Sequence, residues 1–148
     1  MDLMTSGIIV QGVAETEEFR HVREMFAKDA CSAMMGMRLT GITAETAAGE
    51  MLIRPDMCNG FGSAQGGMLF TFADSIFAAM ANAAGKTAVA AFCSIHYARP
   101  AFQGEIVTAT AKLQEAYGKN GIVDVTVKNP AGKTVAEFRG TFRQIDPR

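Results

Sequence analysis

The chain has 148 residues, of which 49% are hydrophobic and 20% charged, and its formal net charge is −1 at pH 7. This length and composition are typical of one globular domain with a sizeable core. The small net charge provides no overall attraction for nucleic acid or for an anionic membrane. A polyanionic ligand would therefore need a local basic patch.

Three cysteines, Cys31, Cys58 and Cys93, are scattered along the chain and form no C-x-x-C pair. An odd, dispersed set indicates a reducing compartment, and it lacks the spacing of zinc ligands. We interpret the cysteines as small buried hydrophobes rather than as nucleophiles. The first residues include Asp2 and no lysine or arginine before a short apolar run, unlike a secretory signal. We therefore expect a cytoplasmic protein.

Residues 1–15 show no clear periodicity, and we expect a partly mobile N-terminal segment there, followed by a single domain over 16–148. A helical pattern starts at Thr16, which resembles an N-cap ahead of acidic first-turn residues. This helix is predicted to end near Gly36. Its apolar residues recur at three- and four-residue spacing, at Phe19, Val22, Met25 and Phe26.

Most of the remaining chain predicts β-structure. Residues 37–53 predict two strands joined around Ala48 and Gly49. The stretch 87–97 is more uniformly apolar and predicts a strand at the centre of a sheet. Three further stretches alternate apolar and polar residues, as half-buried antiparallel strands do, over 104–117, 121–128 and 134–145. The turn between the last two strands is predicted at residues 129–132, Asn-Pro-Ala-Gly.

Between the two β regions, NGFGSAQGGMLFTFADSIFAAMANAAG (59–85) predicts a helix that begins at two glycines and is apolar on almost every side. Gln65, Asp74 and Asn82 make it a better core helix than a membrane span. A helix without a wet face must be buried, and the antiparallel sheet is the structure available to enclose it. The sequence therefore predicts an α+β domain in which a curved antiparallel sheet surrounds a central helix, the hotdog architecture.

Asp74 is the only charged residue between Gln65 and Ala84. Burying a carboxylate costs several kcal/mol unless it is hydrogen-bonded or lies at the opening of a site. Asp74 is therefore either a structural carboxylate held by the backbone or by Ser75, or a catalytic carboxylate with a raised pKa. The residues alone leave both interpretations open.

Gly66 and Gly67 open the same helix and expose backbone N–H groups at its positive end, where a carbonyl oxygen or oxyanion can bind. The alternative is close packing of the helix start against a strand. Asp74 follows Gly66 by eight residues, about 12 Å along a helix axis, whereas a catalytic group must come within about 3 Å of the reacting atom. If both act on one substrate, Asp74 must serve Gly66 of a second subunit.

Other catalytic patterns are absent from the sequence. No Gly-x-Ser-x-Gly elbow occurs, so the nucleophile of an α/β-hydrolase is missing. A dinucleotide fingerprint beginning at Gly60 would need a third glycine where Gln65 stands. His21 lies on the first helix, and His96 is best interpreted as a hydrogen-bonded strand residue.

Several segments, in this order, resemble hotdog thioesterases of the phenylacetic-acid-degradation (PaaI-like) family. NGFGSAQGG followed by MLFTFADSIF is similar to the family's N-G-x-x-x-x-H-G-G signature and its helix containing L-A-D-[ST]. FAKDACSAMMGMRL, SIHYARPA and VAEFRGTFR are also similar to their family counterparts. The resemblance covers residues 17–145, and its specificity comes from the ordered set of motifs.

The resemblance implies hydrolysis of an acyl-CoA thioester, with a small, medium-chain or aryl-acetyl acyl group, by a homodimer or homotetramer. It implies no metal or organic cofactor and no nucleic acid or membrane partner. By position, the Gly66 N–H would polarise the thioester carbonyl, and Asp74 would act as nucleophile or as general base toward water. Asn59 would help to hold the thioester or the water.

Two positions depart from the family pattern. Gln65 stands where the family usually has histidine, and an amide donates a hydrogen bond but does not transfer a proton at neutral pH. The stretch 88–92 lacks the hydroxyl that some relatives carry near the water. Gly67 is expected to bind substrate, as is Arg99, whose guanidinium would contact a CoA phosphate or instead pair with a carboxylate of a neighbouring strand.

Two alternative functions stand beside hydrolysis. One is a non-catalytic hotdog protein that binds acyl-CoA or regulates another protein. The other is a hotdog hydratase or dehydratase, whose chemistry usually pairs a carboxylate with a histidine and would need His96 beside Asp74.

Overall fold

The computed structural model describes residues 7–146, and residues 1–6 and 147–148 lie outside the described part. Short 3-10 turns over Glu17–Phe19 and Pro55–Met57 accompany the regular elements. The helices are α1 (Arg20–Ala27), α2 (Ala30–Met34) and α3 (Gly66–Ala81). The strands are β1 (Arg38–Ile42), β2 (Thr46–Leu52), β3 (Ala88–Tyr97), β4 (Ile106–Tyr117), β5 (Asn120–Lys128) and β6 (Thr134–Gln144).

The six strands form one sheet in the order β1-β2-β4-β5-β6-β3, and every neighbouring pair is antiparallel. Helix α3 contacts all six strands. The predicted α+β hotdog architecture, a curved sheet around a central helix, is therefore confirmed.

The alternating stretches form strands as predicted, because their apolar residues face α3 and their polar residues face water. The buried members are Val107, Ala109, Ala111, Val123, Val125, Val127, Ala136, Phe138 and Phe142. The predicted turn at residues 129–132 is also present. Asn129 accepts a hydrogen bond from the Lys133 N–H through its side chain, and Gly132 adopts a positive φ of 79°.

The predicted turn at Ala48 and Gly49 is wrong, because both residues lie inside β2 and the chain reverses at 43–45. Gly49 is a glycine for a packing reason. A Cβ atom there would collide with the side chain of Ile76 on α3. Gly140 on β6 has the same function, since its Cβ would lie 2.6 Å from the Phe77 ring. These glycines let the helix approach the sheet closely.

The prediction that 87–97 forms a central strand is also wrong, since β3 lies at one edge of the sheet and pairs with β6 alone within the described chain. Its apolar character instead produces an exposed apolar edge. Val89 is 46% exposed, Phe92 67% and Tyr97 46%. The uniformly apolar sequence of β3 predicts burial, but these side chains would be buried only by a partner outside this chain.

The first helix does not run unbroken to Gly36. Lys28 and Asp29 interrupt it, because the Asp29 side chain accepts a hydrogen bond from the Ser32 N–H and thereby caps a second helix, α2. Gly36 follows α2 with a positive φ of 71°. Thr16 precedes the first 3-10 turn but makes no side-chain capping bond.

The N-terminal segment packs onto the domain over its described part. Ile8 is buried, and Ile9 forms a parallel bridge with Leu39 on the outer edge of β1. The cysteines differ from their interpretation as buried hydrophobes, because Cys31 is exposed and Cys58 and Cys93 are half-buried. Within residues 7–146, no helix has both the length and the apolarity to cross a membrane.

Replacing Gly140 by alanine should destabilise the fold, because the new Cβ would overlap the Phe77 ring. Overpacking of this kind costs about 1–3 kcal/mol. Gly41→Ala is the matched control, since its Cβ would meet only the Ala48 Cβ at 3.9 Å. Chemical denaturation should show a lower free energy of unfolding for Gly140→Ala and no loss for Gly41→Ala. Equal stabilities would contradict this account of the packing.

Candidate functional site

One strip along α3 is not fully covered by the sheet. Eight residues of the helix are buried, among them Phe72, Ile76 and Phe77, whereas Asp74 and Ser75 are only half-buried. Asp74 therefore lies at an opening of the core and is not sealed inside it. This is the placement that allows a carboxylate to meet a ligand.

Asp74 receives no hydrogen bond from any described residue. The interpretation of a structural carboxylate held by Ser75 is not supported, because the Ser75 hydroxyl lies 2.8 Å from the Ser32 hydroxyl. Ser32 in turn donates to Asp29 at 2.6 Å. The neighbouring hydroxyls thus hold α2 against α3 and leave the Asp74 oxygens available.

Burial raises the pKa of Asp74 above its usual range, and the negative charge of Asp29 raises it further. Burial also raises the pKa of the Cys93 thiol, with a contribution from the charge of Asp74. Asp74 therefore lies between α2 and the middle of β3. A half-buried carboxylate with a raised pKa is a stronger base than an ordinary one.

The start of α3 presents unpaired backbone donors. Gln65 occupies the N-cap position, with φ −59° and ψ 135°, and its own N–H donates to the Met57 carbonyl at 2.8 Å. The next two N–H groups, of Gly66 and Gly67, have no acceptor within the described chain. They lie at the positive end of the helix dipole, where a carbonyl oxygen or oxyanion is stabilised.

Asn59 and Gln65 differ in how far their side chains are engaged. The Asn59 side-chain oxygen accepts hydrogen bonds from the Phe61 N–H at 2.9 Å and from Ser63, and its amide lies 3.2 Å from the Ser63 hydroxyl. Asn59 therefore shapes the loop that leads into α3. The Gln65 side chain is exposed and makes no hydrogen bond with a described residue.

A groove of about 350 Å³ adjoins the start of α3. Arg99 is at its rim, where one guanidinium nitrogen donates to the Thr134 carbonyl at 2.9 Å. No described carboxylate pairs with Arg99, so its remaining donors face the groove and solvent. The groove is lined by Ala64, Gly66, Leu69, Tyr97, Ala98, Arg99 and Pro100.

His96 is not part of this site within one chain. Tyr97 contacts Gly66, and Cys93 lies near Asp74, so the odd-numbered residues of this part of β3 face α3. His96 has the opposite parity and points to the outer face. The hydratase interpretation therefore lacks its histidine beside Asp74.

The remaining described residues include a second cavity but no metal site. Within residues 7–146, no group of three or more His, Cys, Asp or Glu side chains is close enough to hold a metal ion. A larger cavity, of about 560 Å³, lies between the N-terminal segment, α1 and β1 and includes Arg23 and Arg38. It contains none of the predicted site residues.

Comparison with known proteins agrees with these features. The family model described as the thioesterase superfamily matches residues 61–144, which is more than half of the chain. The chain belongs to the thioesterase superfamily. The matched region starts just before the free N–H groups of α3 and includes Asp74 and all of β3.

One relative of this chain is acyl-coenzyme A thioesterase PaaI of Escherichia coli (strain K12). The two are 35% identical over 127 residues, which cover 86% of this chain and 91% of the relative. The solved structure of E. coli PaaI covers 87% of this chain and 94% of its own, with a TM-score of 0.84. A Thermus thermophilus protein, TT0310, is 32% identical, with a TM-score of 0.73 and coverage of 77% and 96%.

A more distant structure shares the fold. It is a hypothetical thioesterase of Streptococcus pneumoniae TIGR4, solved with coenzyme A and 20% identical, with a TM-score of 0.72. The match covers 76% of this chain and 88% of that one. At this identity the likeness concerns the fold alone.

Two residues of this thioesterase's candidate site were missed in the sequence. The helical pattern predicts Asp29 within a continuous helix, although the spacing of Asp29 and Ser32 is that of an N-cap and its partner. Tyr97 belongs to the SIHYARPA motif, which by itself indicates no role for its hydroxyl. Its parity with Cys93 and Ile95 on one strand was the available signal, since residues of one parity share a face.

Replacing Asp29 by asparagine should lower the pKa of Asp74, because it removes a nearby negative charge. Asparagine is a good N-cap, so the bond from the Ser32 N–H should persist. The pKa should stay above the usual range, since burial, the larger cause, remains. A ¹³C NMR titration of the Asp74 carboxyl, assigned with Asp74→Asn, measures both values.

Asp124→Asn is the control for this titration, because Asp124 pairs with Arg139 on the outer face of the sheet. It should leave the Asp74 titration unchanged. Folding raises the pKa of Asp74 above its unfolded-state value. The contribution of Asp74 to the free energy of unfolding is therefore fully present below the unfolded-state pKa and is lost as pH rises through the folded-state pKa. An Asp74 pKa that is unchanged or higher in Asp29→Asn would contradict the proposed electrostatic contact.

Proposed function

We propose that this protein hydrolyses acyl-CoA thioesters at a site shared between two subunits. The observation that carries the proposal is that α3 holds two reactive features. Its first N–H groups have no acceptor within the described chain, and further along the same helix Asp74 is a carboxylate with a raised pKa and no described hydrogen-bond partner. Donors of this kind stabilise the oxyanion of acyl transfer, and such a carboxylate suits a base or nucleophile. The PaaI relative of E. coli is an acyl-CoA thioesterase, which supports this substrate class.

In the proposed reaction the thioester oxygen accepts a hydrogen bond from the Gly66 N–H. Asp74 takes a proton from a water molecule, whose oxygen adds to the carbonyl carbon and places negative charge on the thioester oxygen. The C–S bond then breaks, CoA leaves as the thiol with the proton that Asp74 returns to its sulfur, and the free acid remains. The raised pKa of Asp74 suits this general-base role, because a stronger base accepts the water proton more readily.

The site must be shared because one helix holds its two ends apart. Gly66 and Asp74 both lie on α3, and eight residues of helix separate them by about 12 Å. No single thioester group spans this distance at catalytic range. Asp74 of one subunit is therefore proposed to act with Gly66 of the partner subunit.

The exposed edge of β3 is the surface proposed to bring the second copy. An unpaired apolar edge strand favours the addition of another strand. Antiparallel pairing of two β3 strands about a twofold axis would continue the sheet and bring the two α3 helices together. The partner's β3 would also cover Val89 and Phe92, which explains their apolar character.

The register of this pairing follows from one contact and one electrostatic neighbour on β3. The Tyr97 hydroxyl donates to the Gly66 carbonyl, and the charge of Asp74 acts on the Cys93 thiol. Four residues of strand span about 13 Å, close to the about 12 Å between the two helix positions. If Ile95 of each chain lies on the twofold axis, Cys93 faces Tyr97 of the partner subunit, and Asp74 comes level with the partner's Gly66.

The other site residues support binding in this proposal. The exposed Gln65 amide donates a second hydrogen bond to the thioester or the water, in place of the family's usual histidine. Asn59 acts mainly by holding the loop before α3, and the Gly67 N–H remains free for substrate. Arg99 at the groove rim supplies the positive charge that a CoA phosphate needs on a chain with net charge −1.

The proposed location is the cytoplasm. An exposed free thiol at Cys31 and two half-buried thiols at Cys58 and Cys93 form no disulfide with one another. Thiols of this kind persist in a reducing compartment. The proposed assembly is a homodimer, alone or within a homotetramer.

The test is thiol release from a panel of acyl-CoA thioesters with small, medium-chain and aryl-acetyl groups, by wild type and by Asp74→Asn. Asparagine is nearly isosteric but does not accept a proton, so kcat should fall by at least about a hundredfold. Asp124→Asn, on the outer face, should retain wild-type activity. Gel filtration should show the same assembly for all three proteins.

Two outcomes would contradict the proposal. A folded Asp74→Asn protein with unchanged kcat would remove Asp74 from the mechanism. Binding of acyl-CoA without release of thiol from any member of the panel would establish a binding protein in place of an enzyme.

A further inference from the structure

The start of α3 is held by Tyr97, a residue of β3. The Tyr97 hydroxyl on β3 donates a hydrogen bond to the Gly66 carbonyl oxygen at 2.8 Å. Its ring lies directly against the Gly66 Cα. A Cβ atom at position 66 would lie 3.0 Å from the ring carbon that bears the hydroxyl and 3.1 Å from the hydroxyl oxygen. A side chain at position 66 would therefore displace the Tyr97 ring by a few tenths of an ångström, whereas glycine lets the ring lie in contact with the helix start.

By contrast, the second glycine has open space around it. A Cβ atom at Gly67 would meet no atom within 4 Å. The two glycines thus have different surroundings, and only the first lies in close contact with Tyr97. What remains at Gly67 is its free N–H group.

The Gly66 carbonyl and the Gly67 N–H belong to the same peptide group. A donor on the carbonyl oxygen polarises that group and strengthens its N–H as a hydrogen-bond donor. Tyr97 therefore acts on the Gly67 N–H through the peptide group that joins Gly66 to Gly67. The same bond fixes the orientation of the first turn of α3, and with it the direction of the Gly66 N–H.

We propose that Tyr97 is a positioning residue that makes the Gly67 N–H a second oxyanion donor, beside the Gly66 N–H. This inference rests on the proposed thioesterase function and assigns the oxyanion site to two adjacent backbone donors. A second donor strengthens in the transition state, when charge develops on the thioester oxygen, so its loss lowers kcat more than it weakens substrate binding.

The first experiment compares Tyr97→Phe, which keeps the ring and deletes the hydroxyl, with Tyr117→Phe. Tyr117 is exposed at the end of β4, and two strands separate β4 from β3. With a CoA thioester that wild type hydrolyses, Tyr97→Phe should lower kcat about three- to tenfold, the effect of one net hydrogen bond. KM, the thermal midpoint and the assembly should stay close to wild type. Tyr117→Phe should change none of these values.

A second experiment tests polarisation without removing the bond. The chain has two tyrosines, so in Tyr117→Phe protein Tyr97 is the only one, and growth with 3-fluorotyrosine labels it alone. Fluorine makes the phenol a stronger donor while leaving its shape nearly unchanged. At a pH that keeps the phenol protonated, kcat should rise above that of unlabelled Tyr117→Phe protein. This measurement also serves if Tyr97→Phe fails to fold.

The outcomes separate this inference from the proposed function. If Asp74→Asn is inactive while Tyr97→Phe and the fluorinated protein both keep unchanged kcat, Tyr97 has no such effect and the inference is overturned. A fall in stability with an equal change in kcat and KM would identify a merely structural residue and would also overturn it. If Asp74→Asn is fully active, the proposed function itself fails.

Discussion

Helix α3 carries apolar side chains around most of its circumference, and these must be removed from water by a surrounding layer. The sheet provides this layer by contacting the helix with all six strands. Close approach requires glycine at positions 49 and 140, where a Cβ would overlap Ile76 or Phe77. The one strip that the sheet leaves half-open carries Asp74, so the enclosure of the helix also determines where chemistry is possible.

Because α3 is a rigid helix, one subunit alone cannot bring Gly66 and Asp74 to the same thioester group. The free N–H groups and the carboxylate of α3 lie at two levels of the same axis. Tyr97 of β3 binds the Gly66 carbonyl at the first level, and the charge of Asp74 acts on the Cys93 thiol of the same strand. Because β3 is an apolar edge strand, the proposed partner would meet the chain along the strand that carries both Tyr97 and Cys93. The proposed oligomer would complete the active site and cover the exposed edge through the same contact.

Sequence patterns predicted the architecture because alternation and all-round apolarity report directly on burial. They failed where the neighbour that causes burial is not adjacent in sequence. Gly49 resembled a turn residue, although it is a glycine because Ile76 on α3 packs against it. The sequence of β3 resembled a central strand, although β3 lies at the edge of the sheet. Asp29 and Tyr97 were missed because their effects depend on contacts with α3. Asp74 and Gly66 were found from local chemistry, and their catalytic roles remain proposals.

The most direct test of the shared site is complementation between two inactive variants. Gly66→Pro removes the N–H donor at a helix position that tolerates proline, and Asp74→Asn removes the base. Co-expressed chains with different affinity tags, purified through both tags, form heterodimers in which one of the two sites receives both intact groups. Such heterodimers should recover about half the wild-type activity per dimer. Purified heterodimers that stay as inactive as either parent would contradict it.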